Sequence, residues 1–531
     1  MRTGSLLAYV AIAVLALAPH DGSAQTSSDL GHVEFPNSGA AEAQESFIRG
    51  LLLLHSFTYV DAAEAFREAQ SLDPDFAMAY WGEAMTYNHP VWQEQDREAA
   101  LEALNRLAST PEGRLEAAPT QREKDYLATL EILYGDGDKL RRDLAYADAM
   151  RELHKTYPDD PEAATFYALA LLGTAHEGRD FETYMRAAAV ADEVFRDNDE
   201  HPGAAHYLIH SFDDPIHAPL GLRAARAYAK IAPGASHAQH MTSHIFVALG
   251  MWDDVVSANE TAVAVADRRV ERKGLGHGAR NYHALHWLAY GYMQQGRYGD
   301  AGKLLETMRG YTEASGSRRA RSYFSRMRAH YILNTHGWED GAVGFRIDVD
   351  DLGALRVAEY LFTNGFAALH SGDKDGATEA WRAMKERREA AAAGEVGYPP
   401  SLQGAEVLEK ELHAMLLIQD GFVEEAVKSL REATEIEDSM PFEFGPPYVV
   451  KPSHELLGGV MLALGDADEA VRQFEASLAR TPRRTESLLG LARALDAKGE
   501  SQKANAIREE LRAIWHSADP DLRELSEIAA N

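Results

Sequence analysis

The stretch ELLGGVMLALGDADEAVRQFEASLARTP, residues 455–482, holds two apolar runs at helical spacing, separated by Gly465. Gly458 in the first run is small, which lets two antiparallel helices approach closely, and Ala470 and Phe474 follow in the second run. Pro482 cannot continue a helix and ends the second run. The stretch therefore predicts a hairpin of two antiparallel helices.

Parts of this pattern recur along most of the chain. Copies occur at Leu491-Ala492…Gly499…Ala504, Gly50…Ala62…Phe66…Ala69…Pro74, Ser243…Gly250…Val255, Ala289…Gly296…Ala301, Gly365…Gly372…Ala377…Trp381 and Gly421…Ala426…Ala433. The pattern resembles the tetratricopeptide repeat (TPR), and no segment shows the alternation typical of a strand. The resemblance implies an all-α, right-handed solenoid of helix-turn-helix repeats. We expect one elongated body with a concave groove.

A wider set of strings is similar to exported bacterial TPR proteins of unassigned activity. The strings are Ala79-Tyr80-Trp81-Gly82, Asp213-Asp214-Pro215-Ile216-His217-Ala218, Asn281-Tyr282-His283-Ala284-Leu285-His286-Trp287 and Lys451-Pro452-Ser453-His454-Glu455-Leu456-Leu457-Gly458. This resemblance supports the fold and implies no activity.

Histidines provide the best indication of function. The strings HYLIHSF at 206–212 and HMTSHIF at 240–246 share the pattern His-x-x-x-His-x-Phe at a separation of 34 residues. Residues four apart share a face of a helix, and 34 residues is the length of one repeat. Ten of the 22 histidines lie within residues 201–286, where an even spread would place roughly four. Neighbouring helices are therefore predicted to present matching imidazole pairs.

Aligning the repeats places these side chains on the groove stripe of three successive helices. The candidate metal ligands are His206, His210, Asp213, His240, His244, His283 and His286. His237 falls on the same stripe but stays outside this set. His206, His210 and Asp213 are also spaced to share one face of a helix. They would form a two-histidine, one-carboxylate site that leaves coordination positions of the ion open.

The ligand types limit the ion. The chain has no cysteine, so thiolate sites are excluded, and imidazole favours Zn, Cu, Fe or Ni. The string His237-Ala-Gln-His240 lacks the glutamate of the zinc-protease motif His-Glu-x-x-His. The sequence therefore allows a metal-dependent activity but does not assign a reaction.

The alternative is a scaffold without metal, which binds an extended peptide or a partner protein in the same groove. A formal net charge of −30 favours a basic ligand and argues against nucleic acid. Trp287, beside His286, is a candidate contact for either ligand, whereas the other tryptophans are expected in the core.

The N-terminus predicts export. Arg2, an apolar run at 6–18 and the small residues Gly22-Ser23-Ala24 form the pattern of a cleavable signal peptide over residues 1–24. We expect a periplasmic or secreted protein without a membrane span. A linker over 25–40 would precede a solenoid over 41–531, interrupted by irregular segments near 336–352, 394–404 and 439–453. The last segment, rich in proline and aromatic residues, is long enough to cover the groove as a lid or to run over the surface.

Overall fold

The computed structural model describes residues 29–394 and 399–529, and α-helices make up most of this range. The helices of the N-terminal half are α1 (Gln44–His55), α2 (Tyr59–Leu72), α3 (Ala77–Met85), α4 (Arg97–Leu107), α5 (Pro111–Ala117), α6 (Gln121–Leu133), α7 (Lys139–Thr156), α8 (Pro161–Leu172), α9 (Phe181–Asp197), α10 (Pro202–Ser211), α11 (Ala218–Ile231), α12 (Ser236–Ala248) and α13 (Trp252–Lys273).

The C-terminal half continues the same alternation of helices. These helices are α14 (Tyr282–Gln294), α15 (Tyr298–Ser315), α16 (Arg318–Thr335), α17 (Ala354–His370), α18 (Lys374–Ala393), α19 (Pro399–Gln419), α20 (Val423–Ser439), α21 (Ser453–Ala463), α22 (Ala467–Arg480), α23 (Thr485–Ala497), α24 (Ser501–Ile514) and α25 (Leu525–Ile528). Within the described residues, strands are limited to the two-residue pair β1 (Asn88–His89) and β2 (Glu94–Gln95). The all-α repeat fold expected from the sequence is confirmed.

One aromatic ring holds each clear repeat together. A Cβ placed on Gly458 or Gly490 would lie 3.1 or 2.3 Å from the ring of Phe474, so this ring sits between α21 and α23. Phe66 stands in the same relation to Gly50 and Gly82, at 2.8 and 2.4 Å. Burying a phenylalanine side chain stabilises a fold by about 1.5–3 kcal/mol. The glycine and phenylalanine positions of the sequence pattern therefore mark where successive helices interlock.

The array curls back on itself. The indole N–H of Trp252 donates to the backbone oxygen of Arg483 at 3.0 Å, and Arg484 donates to the hydroxyl of Tyr290, also at 3.0 Å. The indole of Trp515 donates to the backbone oxygen of Gln294 at 3.0 Å. These contacts place the C-terminal helices against α13 and α14. The expected open groove is therefore covered here, because these tertiary contacts lie on the inner face.

The expected segment boundaries can be compared with the described residues. The signal peptide 1–24 and the first four residues of the linker lie outside them. The remainder of the linker packs on the fold, and Leu30 and Phe35 are buried. Pro399 begins α19, so the irregular segment expected at 394–404 ends earlier, and its residues 395–398 are outside the described range.

Two further segments are irregular, as expected. Residues 336–353 connect α16 and α17 and contain only a short 3₁₀ turn at Gly341–Gly344. Residues 440–452 connect α20 and α21, and this stretch is called the cover loop below. Among the described helices, none is both long and apolar enough to cross a bilayer.

Candidate metal centre

The histidine strings lie on α10 and α12, two helices that stand side by side on the inner face. Each string places two imidazoles one turn apart, with ring centroids 4.8 Å apart for His206 and His210 and 4.9 Å for His240 and His244. All four side chains are at most 3% exposed. The predicted face is therefore real, but it is buried rather than open to a groove.

Two groups of three histidines could each hold one ion. Triad A consists of His206, His210 and His237, and triad B consists of His240, His244 and His283. In each triad, one nitrogen from every ring lies within 4.8 Å of the other two. His237 and His283 are the partly exposed members of the two triads.

Triad B has its ring orientations fixed by neighbouring side chains. The Nδ1–H of His240 donates to Oδ1 of Asn259 at 2.7 Å, and Nδ2 of Asn259 donates to the backbone oxygen of Val255 at 2.8 Å, which fixes the amide. The Nδ1–H of His244 donates to a carboxylate oxygen of Asp213. In both neutral rings Nε2 is consequently the nitrogen with the lone pair.

These two lone-pair nitrogens face each other. The Nε2 atoms of His240 and His244 are 3.0 Å apart. Two lone pairs at this distance repel unless a cation lies between them. Two nitrogens bound to one tetrahedral ion at 2.0–2.1 Å would be about 3.3 Å apart. The observed separation is about 0.3 Å shorter, so the two rings would need to move apart only slightly to share an ion.

A proton is the competing cation, and burial disfavours it. Burial lowers the pKa of His240 well below its usual value of 6.5, and the neighbouring His244 lowers it further. Burial likewise lowers the pKa of His283, with His240 and His244 adding to the effect. The rings of His240 and His283 are therefore neutral near pH 7, which is the form of imidazole that can act as a metal ligand.

Triad A also consists of three imidazoles, but the contact between two of its rings can be explained without a metal ion. The Nδ1–H of His206 donates to the backbone oxygen of His55 at 2.6 Å, so its Nε2 carries the lone pair. The Nε2 of His237 lies 3.1 Å from that atom, where a hydrogen bond would also satisfy both rings. The Nε2 of His210 is buried without a hydrogen-bond partner in the described part of the chain. Burial lowers the pKa of all three rings well below 6.5.

Two candidate ligands lie outside the triads. The helix α10 ends at Ser211, so Asp213 does not continue its stripe; instead, the carboxylate orients His244 through Nδ1. His286 stacks on His330 of α16, with ring centroids 5.3 Å apart. The side chain of His286 thus turns towards α16 rather than α12. His237, the extra member of triad A, lies one turn before His240 on the stripe that the sequence identifies.

A third cluster is a structural polar network. Glu162 accepts from Nε2 of His55 at 2.7 Å and from Nε2 of His201 at 3.1 Å. The remaining nitrogens are also bonded, Nδ1 of His55 to the hydroxyl of Tyr207 and Nδ1 of His201 to the backbone N–H of Ala204. Every ring nitrogen therefore has a partner. The two histidines hold the pKa of Glu162 far below its usual value despite burial.

Aromatic rings enclose the triads. Trp287 stacks on His244 with centroids 4.3 Å apart, and Phe444 of the cover loop packs on the same imidazole at 5.2 Å. Phe57 packs on His206 at 4.3 Å, with its backbone in the left-handed region at φ 49°. That conformation costs roughly 1 kcal/mol and is tolerated where the surroundings enforce it. Trp92, 6.1 Å from His237, is 42% exposed and marks the open side.

The fold and the site define a TPR-like helical-repeat protein with a histidine cluster on its inner face. No family model matches the chain, and no curated protein matches it. Solved structures with similar helix arrays include the human IFIT1 dimer with PPP-AAAA, at 14% identity and TM-score 0.37, covering 89% of this chain and 91% of that one. Yeast Tom70 is 14% identical with TM-score 0.35, and the match covers 92% of this chain and 99% of that one. The Rap protein complexed with competence and sporulation factor is 14% identical with TM-score 0.37, and the match covers 75% of this chain and 98% of that one.

Proposed function

We propose that this protein binds transition-metal ions through triads A and B. The observation that carries the proposal is the 3.0 Å approach of the Nε2 atoms of His240 and His244, with both Nδ1–H groups already donated elsewhere. Hydrogen bonds of this kind orient metal-binding imidazoles and raise their basicity in known sites. Among the described histidine clusters, the network around Glu162 lacks this feature because all its ring nitrogens are bonded.

The donor set selects the class of ion. Six imidazoles and no thiolate favour Zn, Cu, Ni or Fe over Mg or Ca, which prefer oxygen ligands. Asp213, a candidate ligand from the sequence, supports the proposal as the carboxylate that accepts from His244. Its second oxygen, Oδ1, is buried without a partner among the described residues. The negative charge of Asp213 would stabilise a bound cation nearby.

The test is metal content after stripping and reloading. The purified protein is treated with a chelator, dialysed against Zn, Cu, Ni or Fe, freed of excess ion and measured by elemental analysis. We expect one or two tightly bound ions per chain. If none of the four ions is retained, the proposal fails.

A matched pair of variants locates the site. Asparagine keeps a donor close to the position of histidine Nδ1 and removes Nε2, so His240→Asn with His244→Asn preserves the bonds to Asn259 and Asp213. This double variant should lose the ion of triad B while circular dichroism shows retained helix. His330→Asn is the control, since His330 is fully buried but belongs to neither triad. Full metal retention in the double variant would assign the ion elsewhere.

A second candidate function is binding of a basic peptide or partner protein. The histidine face is too enclosed for an extended peptide, but a cleft of about 680 Å³ opens elsewhere on the fold. It is lined by acidic and aromatic side chains, among them Glu339, Asp340, Asp519, Trp338 and Tyr331, and also by Arg523. A lysine-rich peptide should bind there, and the affinity should fall as salt rises. Binding unchanged in Asp340→Asn with Asp519→Asn would reject this cleft.

A further inference from the structure

The two triads are as close to each other as the rings within one triad. The ring centroids of His210 and His244, from different triads, are 5.9 Å apart, whereas those of His244 and His283, within triad B, are 6.1 Å apart. His237 and His240 also bring the two triads together, at 6.3 Å on one turn of α12. Two ions held by the triads would therefore be near neighbours; in known two-metal sites the ions lie about 3.5–4 Å apart.

The charges around this pair restrict what can occupy it. All six imidazoles are neutral ligands, and the carboxylate of Asp213 is hydrogen-bonded to one of them, His244. Two divalent ions would bring four positive charges into a buried site, and the cost of burying charge is large. Two monovalent copper ions bring only half of that positive charge. For two divalent copper ions, an anion that bridges them lowers the net charge that is buried. Copper also has the highest affinity of the divalent first-row ions for nitrogen sites.

We propose that triads A and B form one dinuclear copper centre, in which three imidazoles hold each ion and a small ligand bridges the pair. This inference rests on the proposed metal binding and adds the ion, the stoichiometry and the bridge. Three protein ligands would leave one position open on a tetrahedral ion in each triad, where a small ligand could bind. The bridging ligand is a small anion with lone pairs, such as hydroxide or azide.

The surroundings leave one route for such a ligand. Phe444 and Trp287 cover triad B on the inner side, and Phe57 covers triad A. His237 and His283 are the partly exposed members of the triads, although Phe57 contacts the first ring and Trp287 the second. Trp92 lies beside His237 at the surface. A hydroxide or azide ion can reach this edge, whereas a long peptide cannot enter the cluster.

Electron paramagnetic resonance on the copper-loaded full chain tests the proposal. The protein is loaded with Cu(II), dialysed to remove loose copper, analysed for copper content and measured with and without azide. We expect two copper ions per chain and a spin count near zero, because two Cu(II) ions joined by a bridge couple magnetically. The variants His237→Asn and His283→Asn each remove one ligand at the partly exposed edge. Each should hold one tight copper with its full signal.

The possible outcomes separate the two proposals. A wild-type chain that binds no metal overturns the proposed function and this inference together. One tight copper, or two coppers with both spins fully visible in azide, leaves metal binding intact and overturns the dinuclear centre. The wild-type spin count decides the question even if a variant fails to fold.

Discussion

Asp213 accepts a hydrogen bond from Nδ1 of His244, which directs Nε2 of that ring towards His240. The two residues are 31 positions apart and lie on neighbouring repeats. The carboxylate thereby fixes the tautomer of His244. Asp213 itself is not one of the three ligands in triad B. This arrangement links the packing of α12 against the end of α10 to the chemistry of triad B.

Replacing Asp213 by asparagine should weaken metal binding without removing the site. The amide oxygen can still accept from His244, but the negative charge is lost. We expect a 10–100-fold lower metal affinity, as is typical when the partner of a metal-binding histidine is changed. Competition with a chelator of known affinity measures it. Asp254→Asn, on an exposed position of α13, should leave the affinity unchanged, and equal affinities in both variants would contradict the assigned role.

Removing the ring of Phe444 should speed metal exchange. This ring packs on His244 from the cover loop, so Phe444→Ala opens a path from solvent to triad B. We expect a faster loss of metal to an excess of chelator and an unchanged number of bound ions. Stopped-flow absorbance of the chelator complex follows the rate. Phe422→Ala, at an exposed position just before α20, serves as the control, and identical rates would show that the loop does not limit exchange.

Glu411 should make stability fall as pH rises. Its two carboxyl oxygens are buried without partners in the described part of the chain. Burial raises the pKa of Glu411 well above 4.5. The charges of Glu437 and Glu455 raise this pKa further, whereas Lys451 lowers it. Above about pH 4.5 the unfolded chain releases this proton while the folded chain keeps it. The folded state then binds more protons, so the free energy of unfolding decreases with pH until the raised pKa is reached.

The variant Glu411→Gln removes this ionisation. At pH 7 we expect it to unfold at higher urea concentration than the wild type, with a gain of about 1.4 kcal/mol for each pH unit between 4.5 and the lower of 7 and the folded pKa. Urea unfolding at pH 5, 6, 7 and 8 should show a flatter pH dependence for the variant. Glu424→Gln, at an exposed site on α20, is the control. A variant that is less stable than the wild type at pH 7 would refute this explanation.

The interlock around Phe474 should tolerate no added methyl group. A Cβ on Gly490 would lie 2.3 Å from the ring, so Gly490→Ala should lower the free energy of unfolding by about 1–3 kcal/mol. Gly459 lies on α21 with open space around it, so Gly459→Ala should instead raise that free energy by about 0.5–1 kcal/mol through helix propensity. Thermal and urea unfolding of both variants check the opposite signs; equal effects would mean that the ring is not the cause.

The N-terminal prediction concerns residues outside the described range. If residues 1–24 are a cleaved signal peptide, the mature protein should begin at Gln25 and accumulate outside the cytoplasm. N-terminal sequencing of the protein recovered from each cell fraction measures both properties. A mature protein that begins at Met1 in the cytoplasm would rule out export.

Helical geometry made much of this protein predictable. Apolar spacing and the glycine and phenylalanine positions around Phe474 are local signals, so they predicted the helix pairs. The four-residue spacing of His240 and His244 placed both rings on one face, since 3.6 residues complete a turn. The 34-residue period then placed His206 and His210 beside them. None of these inferences required knowledge of the curvature of the array.

Tertiary packing decided which rings meet and how deeply they are buried. His237 joined triad A and His286 turned away to His330, because the rotation of each helix is set by many small packing contacts rather than by spacing. His55 and Glu162 are 107 residues apart, and no sequence signal linked them. The return of Arg484 against Tyr290 closed the inner face and converted an expected open groove into an enclosed histidine cluster. Sequence spacing thus determined which side chains share a helix face, and the summed packing of the superhelix determined which faces meet.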